Sequence, residues 1–280
     1  PTPASTSAGS VSGRSTRAPA PATVRIPKAW LQAYMGAAQQ LLPRFTAQAL
    51  AHTLISLVAA GARPSIVWMR AYSDVLRERL GVLGGAELAG VVQAMGALRY
   101  KPPRSLLQPL LAGGATKMSL VSDGELVGIA TALADMAIQP DAEWGKVFLS
   151  ETQHRAARLG GDSLASIAKS AVRLRLQPSE AWWAHIMGSM RPHIGGMSPA
   201  GLGDLLWAVG TAGYDPGSDF MQQAVQAVEG HISGEELPRA VSRGNSASRR
   251  VAKAGQRGAA ARAATGNLSA IAGAPFTLVV

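Results

Sequence analysis

At 202–220 the chain reads LGDLLWAVGTAGYDPGSDF, and 38 residues earlier, at 164–182, it reads LASIAKSAVRLRLQPSEAW. Both stretches open on a leucine, place a proline fourteen residues later and an aromatic ring four residues after that. The same three columns recur upstream. Leu50, Leu88, Leu126, Leu164 and Leu202 each precede by fourteen residues Pro64, Pro102, Pro140, Pro178 and Pro216. Trp30, Trp68, Leu106, Trp144, Trp182 and Phe220 follow at 38-residue steps, with Ile26 in the first proline position and Pro27 beside it. A fixed period of this length marks a repeat architecture before any single element is assigned.

Each unit reads as two helices. From the leucine, apolar residues return every three or four positions, as in Leu126, Ile129, Ala130, Leu133 and Met136, which is one face of an α-helix. A short joint such as Gly213-Tyr214-Asp215 ends it. The proline is expected at the first position of the second helix, where its missing N–H costs nothing and its fixed φ helps. The aromatic and the residue four later (Trp30/Tyr34, Trp68/Tyr72, Trp144/Phe148) then share a face that only a neighbouring unit can bury. The predicted fold is all-α: an α-solenoid of stacked 38-residue helical hairpins with extended basic N- and C-terminal tails. Its parts are a basic Ser/Pro/Ala-rich arm at 1–25, an array at 26–237 and a basic low-complexity tail at 238–280. Within the array, a half-repeat at 26–47 precedes repeats 48–85, 86–123, 124–161, 162–199 and 200–237. Leu106 in the aromatic column, Pro109 inside the second helix and Gly113-Gly114 after it predict a kink and a break in the stacking near 109–122.

Composition agrees with many short helices: the 280 residues include 31 Gly and 17 Pro, with 5% aromatic residues. The formal charge of +10 is concentrated at the ends. Residues 1–28 carry Arg14, Arg17, Arg25 and Lys28 and no acid; the last fifty carry Arg239, Arg243, Arg249, Arg250, Lys253, Arg257 and Arg262 against Glu235 and Glu236. The body between is nearly neutral. Such tails bury too little apolar surface to offset chain entropy. The first 25 residues resemble an organellar transit peptide, and because the chain opens on Pro1 further residues are expected upstream. With no cysteine there is no disulfide framework and no thiolate metal site. The most apolar stretch, 47–62, is interrupted by Gln48, His52, Thr53 and Ser56, so no membrane segment is expected.

The strict 38-residue hairpin with Leu…Gly-Tyr-x-Pro-x-x-x-aromatic resembles the octotricopeptide repeat family. The segments that carry the resemblance are 202–220, 164–182 and 88–106 (LAGVVQAMGALRYKPPRSL), and it spans about 26–228. Leu106, Pro109 and the lack of a double proline in most units depart from the pattern. The resemblance implies an organelle-targeted RNA-binding protein of the kind most numerous in green algae.

On that reading, first helices line up along one surface and meet an unpaired nucleotide with a few side chains per unit. Columns twelve, nine and five residues before the proline read His52/Ile55/Ala59, Gly90/Gln93/Ala97, Gly128/Thr131/Asp135, Ser166/Lys169/Arg173 and Asp204/Trp207/Thr211. These are expected to point away from the apolar face, as a reading surface or as an ordinary solvated one. Trp207 offers a ring for a base, yet a helix this apolar predicts it buried. The candidate phosphate contacts are Arg63, Arg99, Lys101, Lys169, Arg173 and Arg175 in the array and Arg239, Arg243, Arg249, Arg250, Lys253, Arg257 and Arg262 in the tail. No catalytic site, metal site, cofactor or small-molecule substrate is expected. The five histidines fall in different units, and no HExxH or GxSxG motif is present. Five units reading one base each distinguish about 10^3 words, too few to find one messenger in a large transcriptome. This arithmetic favours a structural subunit of an algal mitochondrial ribosome, partnered by rRNA and neighbouring ribosomal proteins. The alternatives are an organellar messenger stability, processing or translation factor (in mitochondrion or chloroplast, on single-stranded mRNA) and a scaffold that binds proteins along the same face.

Overall fold

The computed structural model describes residues 26–233. Among the described residues eleven α-helices run in series and no strand occurs: α1 Lys28–Leu41, α2 Ala47–Ala59, α3 Ile66–Arg79, α4 Gly85–Ala97, α5 Arg104–Thr116, α6 Asp123–Asp135, α7 Ala142–Arg155, α8 Gly161–Arg173, α9 Glu180–Met190, α10 Pro199–Ala212 and α11 Ser218–Ser233. The protein is an α-solenoid. Even-numbered helices pack on one another in one layer, and odd-numbered helices follow one another in a second. The basic arm and tail of the sequence reading lie outside the described residues.

The even-numbered helices start at Ala47, Gly85, Asp123, Gly161 and Pro199, each 38 residues after the last. Thr46, Ser122 and Ser198 cap three of them by accepting the N–H of Ala49, Glu125 and Gly201. At α6 the Glu125 carboxylate accepts the Ser122 N–H in return, closing a capping box. Their other ends also obey the period. Gly61, Arg99, Ala137, Arg175 and Gly213 all take left-handed backbone, with φ of 74°, 51°, 50°, 54° and 66°. The following N–H then reaches back to a carbonyl of the last turn: Ala62 to Leu57, Tyr100 to Met95, Ile138 to Leu133, Leu176 to Ala171, Tyr214 to Val209, all at 2.9–3.2 Å. This is the Schellman arrangement. Three of the five positions hold a residue with a Cβ, which costs about 1–2 kcal/mol each.

The prolines do not open the second helices. They stand one residue before the N-cap, so that Ser65, Asp141 and Ser179 take the cap position in extended backbone. The reason is geometric: a left-handed joint must be followed by extended chain, which proline's fixed φ supplies, before the helix can begin. Each cap then accepts the N–H of the aromatic three residues on, at 3.2 Å for Trp68, 2.8 Å for Trp144 and 3.2 Å for Trp182. Cap and ring are thereby fixed together.

The leucine column is buried throughout, as are Trp68, Leu106, Trp144, Trp182 and Phe220. Each ring spends its contact on the preceding unit. The indole N–H of Trp68 donates to Met35 O at 3.1 Å, and that of Trp182 to Leu149 O at 3.0 Å. Trp68 stacks on Tyr72 and Trp144 on Phe148. The Tyr72 hydroxyl donates to Leu50 O across the two layers, and burial pushes its phenol well above the usual range. Trp30 is 55% exposed because no described helix precedes α1.

The break in the stacking expected near 109–122 does not occur. α5 runs through Pro109 without interruption and packs against both α3 and α7. Pro109 and Ser105, whose carbonyl loses its helical donor, are both exposed, so the freed group lies where water reaches it.

A further column ties the units together. Arg79, Lys117, Arg155 and His231 stand on one 38-residue register, with His193 at the intervening position. Arg79 donates to the carbonyls of Leu42, Pro43 and Phe45, Lys117 to Leu83 O, Arg155 to Val121 O and Met118 O, and the His231 ring is 3.0 Å from Met197 O. Phe45, Leu83, Val121 and Met197 obey the period too. Each of these side chains straps the turn that leads into the first helix of its own unit, where carbonyls have no helical partner.

Candidate nucleic-acid interface

The layer of first helices is the tightly packed side of the stack. A Cβ added at Gly96 would lie 2.6 Å from the Ala132 Cβ, so the backbones of α4 and α6 approach as closely as small residues permit. In the other layer large rings lie between neighbouring helices, Trp68 against Met35 O and Trp182 against Leu149 O and Thr152. We call this close-packed side of the first helices the inner face.

Of the three columns expected to face solvent there, the one five before the proline is exposed in every unit, while the other two interlock between most units. The residue nine before the proline reaches over the residue twelve before the next proline. Ile55 covers Gly90, whose added Cβ would sit 2.5 Å from the Ile55 Cδ1; Gln93 covers Gly128 in the same way and donates to Glu125 O. In the last two units the contact is ionic, Lys169 Nζ to Asp204 Oδ1 at 2.6 Å. In the column five before the proline one pair forms: Arg173 donates to Asp135 at 2.6 Å and to Ala134 O at 2.9 Å. Ile55 is consequently buried, contrary to the reading that this column points away from the apolar face. Flat helices can project such columns into water; helices packed this closely make neighbours of them.

The site candidates thus fall into three groups. Lys169 and Arg173 are engaged in ion pairs on the inner face, both about one-third exposed. Arg63, Arg99, Lys101 and Arg175 are exposed along one edge, where each first helix hands over to its second. Arg99 and Arg175 are the left-handed residues of their joints, and Lys101 reaches the joint of the next unit by donating to Ala137 O at 3.3 Å. Arg239, Arg243, Arg249, Arg250, Lys253, Arg257 and Arg262 lie outside the described residues. Asp204 and Asp135 were missed as partners, although a Lys–Asp spacing of 35 and an Asp–Arg spacing of 38 were readable signals once the period was known. Trp207 was expected to be buried and is 43% exposed; among the described residues no helix packs on the far side of α10.

Residues 45–236 match the family model described as the Tbc2 translation factor, C-terminal domain. The chain belongs to this family. The matched span begins one residue before the cap of α2 and includes every complete pair of helices, so the family domain covers the five complete hairpins of the solenoid. No curated protein sequence matches the chain. For a Tbc2-type domain the geometry offers one continuous inner face of five first helices, bordered by an edge of four exposed cations.

Proposed function

We propose that this Tbc2-type domain is a non-catalytic RNA-binding protein of organellar translation, built from octotricopeptide units. The observation that carries the reading is the match of a translation-factor domain to an array whose joints display Arg63, Arg99, Lys101 and Arg175 on one edge. Cations along one edge can follow a phosphate backbone, while the inner face stands beside the bases. The domain acts by holding single-stranded RNA, and no bond is made or broken. A mitochondrial or chloroplast address follows from the transit-like arm.

The test is RNA affinity against salt. Binding through the four edge cations and the tail should weaken with a log–log slope of about −0.7 per phosphate contacted. Replacing Arg63, Arg99, Lys101 and Arg175 together by Gln should make the slope shallower by about 3. A flat salt response in the wild type would remove the RNA reading.

One observation favours a ribosomal version of this role. Lys169 and Arg173 are already paired with acids and the first helices carry no other Lys or Arg, so the inner face itself has little free charge with which to capture RNA. A protein delivered to rRNA by an assembly needs fewer. Sedimentation of organelle lysate with and without RNase, followed by sequencing of cross-linked RNA, separates the two. Co-migration with a ribosomal particle makes it a subunit; a light RNase-sensitive complex on one messenger makes it a translation factor.

A further inference from the structure

We propose that Trp207 is a stacking platform for one unpaired nucleobase at the open end of the inner face, a proposal that rests on the RNA-binding reading. In the other units the side chain nine before the proline packs among its neighbours: Ile55 on Gly90, Gln93 on Gly128, Lys169 on Asp204, with Thr131 returning its hydroxyl to Val127 O of its own helix. Only in α10 is this position free among the described residues, and there it is an indole. Trp68, Trp144, Trp182 and Trp183 are all buried, and Trp30 belongs to the other layer. Trp207 is therefore the one exposed tryptophan of the first-helix layer in the described residues.

The surroundings of the ring are cleared for a planar ligand. Gly203, one turn before, and Gly210, one turn after, lie on the same side of α10, and a Cβ built on either would meet nothing within 4 Å. Thr211, four residues on, is exposed on the same side of the helix and offers a hydroxyl within reach of a base edge. Asp204, three residues before, holds Lys169 at 2.6 Å, so the charges beside the ring satisfy each other and the indole face itself is the contact left for a ligand. An indole face accepts any base, so this position contributes grip and not sequence choice.

The experiment uses the full chain with a fluorescein-labelled 12-nucleotide oligouridylate, the matching oligoadenylate and a 12-base-pair RNA duplex. Trp207→Gln installs the residue that Gln93 provides at the same register, so the helix tolerates it; Trp207→Phe keeps a ring. Thermal melts confirm that both variants are folded. Trp207→Gln should weaken both single strands by about 5- to 150-fold while leaving the duplex unchanged, and Trp207→Phe should restore most of the loss. Equal affinity of wild type and Trp207→Gln for the single strands overturns the platform and leaves RNA binding standing. An equal loss on the duplex overturns it as well, because paired bases have no free face to stack. If Trp207→Gln changes only the sedimentation of a self-associated chain, the indole is a protein contact and the proposal falls. A wild type that binds none of the three probes at 50 mM salt refutes the RNA reading itself.

Discussion

Arg155 provides the sharpest test of how the units are joined. Its side chain is 2% exposed and makes four contacts: Val121 O at 2.7 Å, Met118 O at 2.9 Å, Asp123 at 3.3 Å and Glu151 at 3.1 Å. Arg155→Ala leaves two carbonyls of the preceding turn without a donor, at about 1–3 kcal/mol each when water cannot reach them. The carboxylates lose less, because Asp123 is 34% and Glu151 25% exposed and both rehydrate. The sum is about 3–5 kcal/mol, the range found when one partner of a buried ionic contact is removed. Urea denaturation followed by circular dichroism measures it, and hydrogen exchange locates it. The amides of 118–126 should lose protection before those of α2 or α10, since a solenoid senses a defect through nearest neighbours. Arg155→Lys should recover part of the loss, because Lys117 performs the same task one unit earlier by reaching Leu83 O. A loss below about 1 kcal/mol for Arg155→Ala, or protection lost evenly along the chain, would refute the strap.

Trp182→Ala removes a buried ring and an indole donor shared by Leu149 O and Thr152; it should cost about 3–5 kcal/mol by thermal or urea unfolding, and Trp182→Phe distinctly less. Ala137→Gly should stabilise the protein, since relief of a left-handed Cβ, about 1–2 kcal/mol, exceeds the added chain entropy of about 0.5–1 kcal/mol; a lower melting temperature would contradict the joint geometry. Tyr72 keeps its proton in the folded chain to higher pH than in the unfolded chain, where it titrates near 10. Its contribution to stability is therefore full below about pH 10 and is lost above it, by up to about 1.4 kcal/mol per pH unit. Urea midpoints between pH 9 and 11 check this, with Tyr72→Phe expected to remove that part of the decline.

Three columns of the fold were legible because they keep one kind of side chain: Leu at the buried turn, Pro before the cap, a ring at the third helical position. The left-handed joint kept no such constancy. Gly61, Arg99, Ala137, Arg175 and Gly213 share a backbone conformation and nothing else, so periodicity of residue type passes over them. The strap column changes from Arg to Lys to His and its acceptors are main-chain carbonyls, which leave no mark in a sequence. Proline was misplaced by two positions because helix initiation was judged from proline's own preferences, without the extended step that a left-handed joint demands. On the inner face, Lys169 and Arg173 were visible as charges, but their partners required knowing that one unit leans over the next. Trp207 was judged from the apolar character of its own helix, whereas its exposure depends on what packs beyond that helix.

The interlocking of Ile55 with Gly90, Gln93 with Gly128 and Lys169 with Asp204 has a consequence for re-engineering. A repeat protein invites treatment as a set of exchangeable cassettes cut at unit boundaries. Here such a cut would pass through every one of these pairs: a graft of the fourth unit behind the second would bring Ser166 to Gln93 where a glycine had made room. The smallest piece that carries its own chemistry runs from the middle of one first helix to the middle of the next, so a chimera spliced there keeps each pair whole.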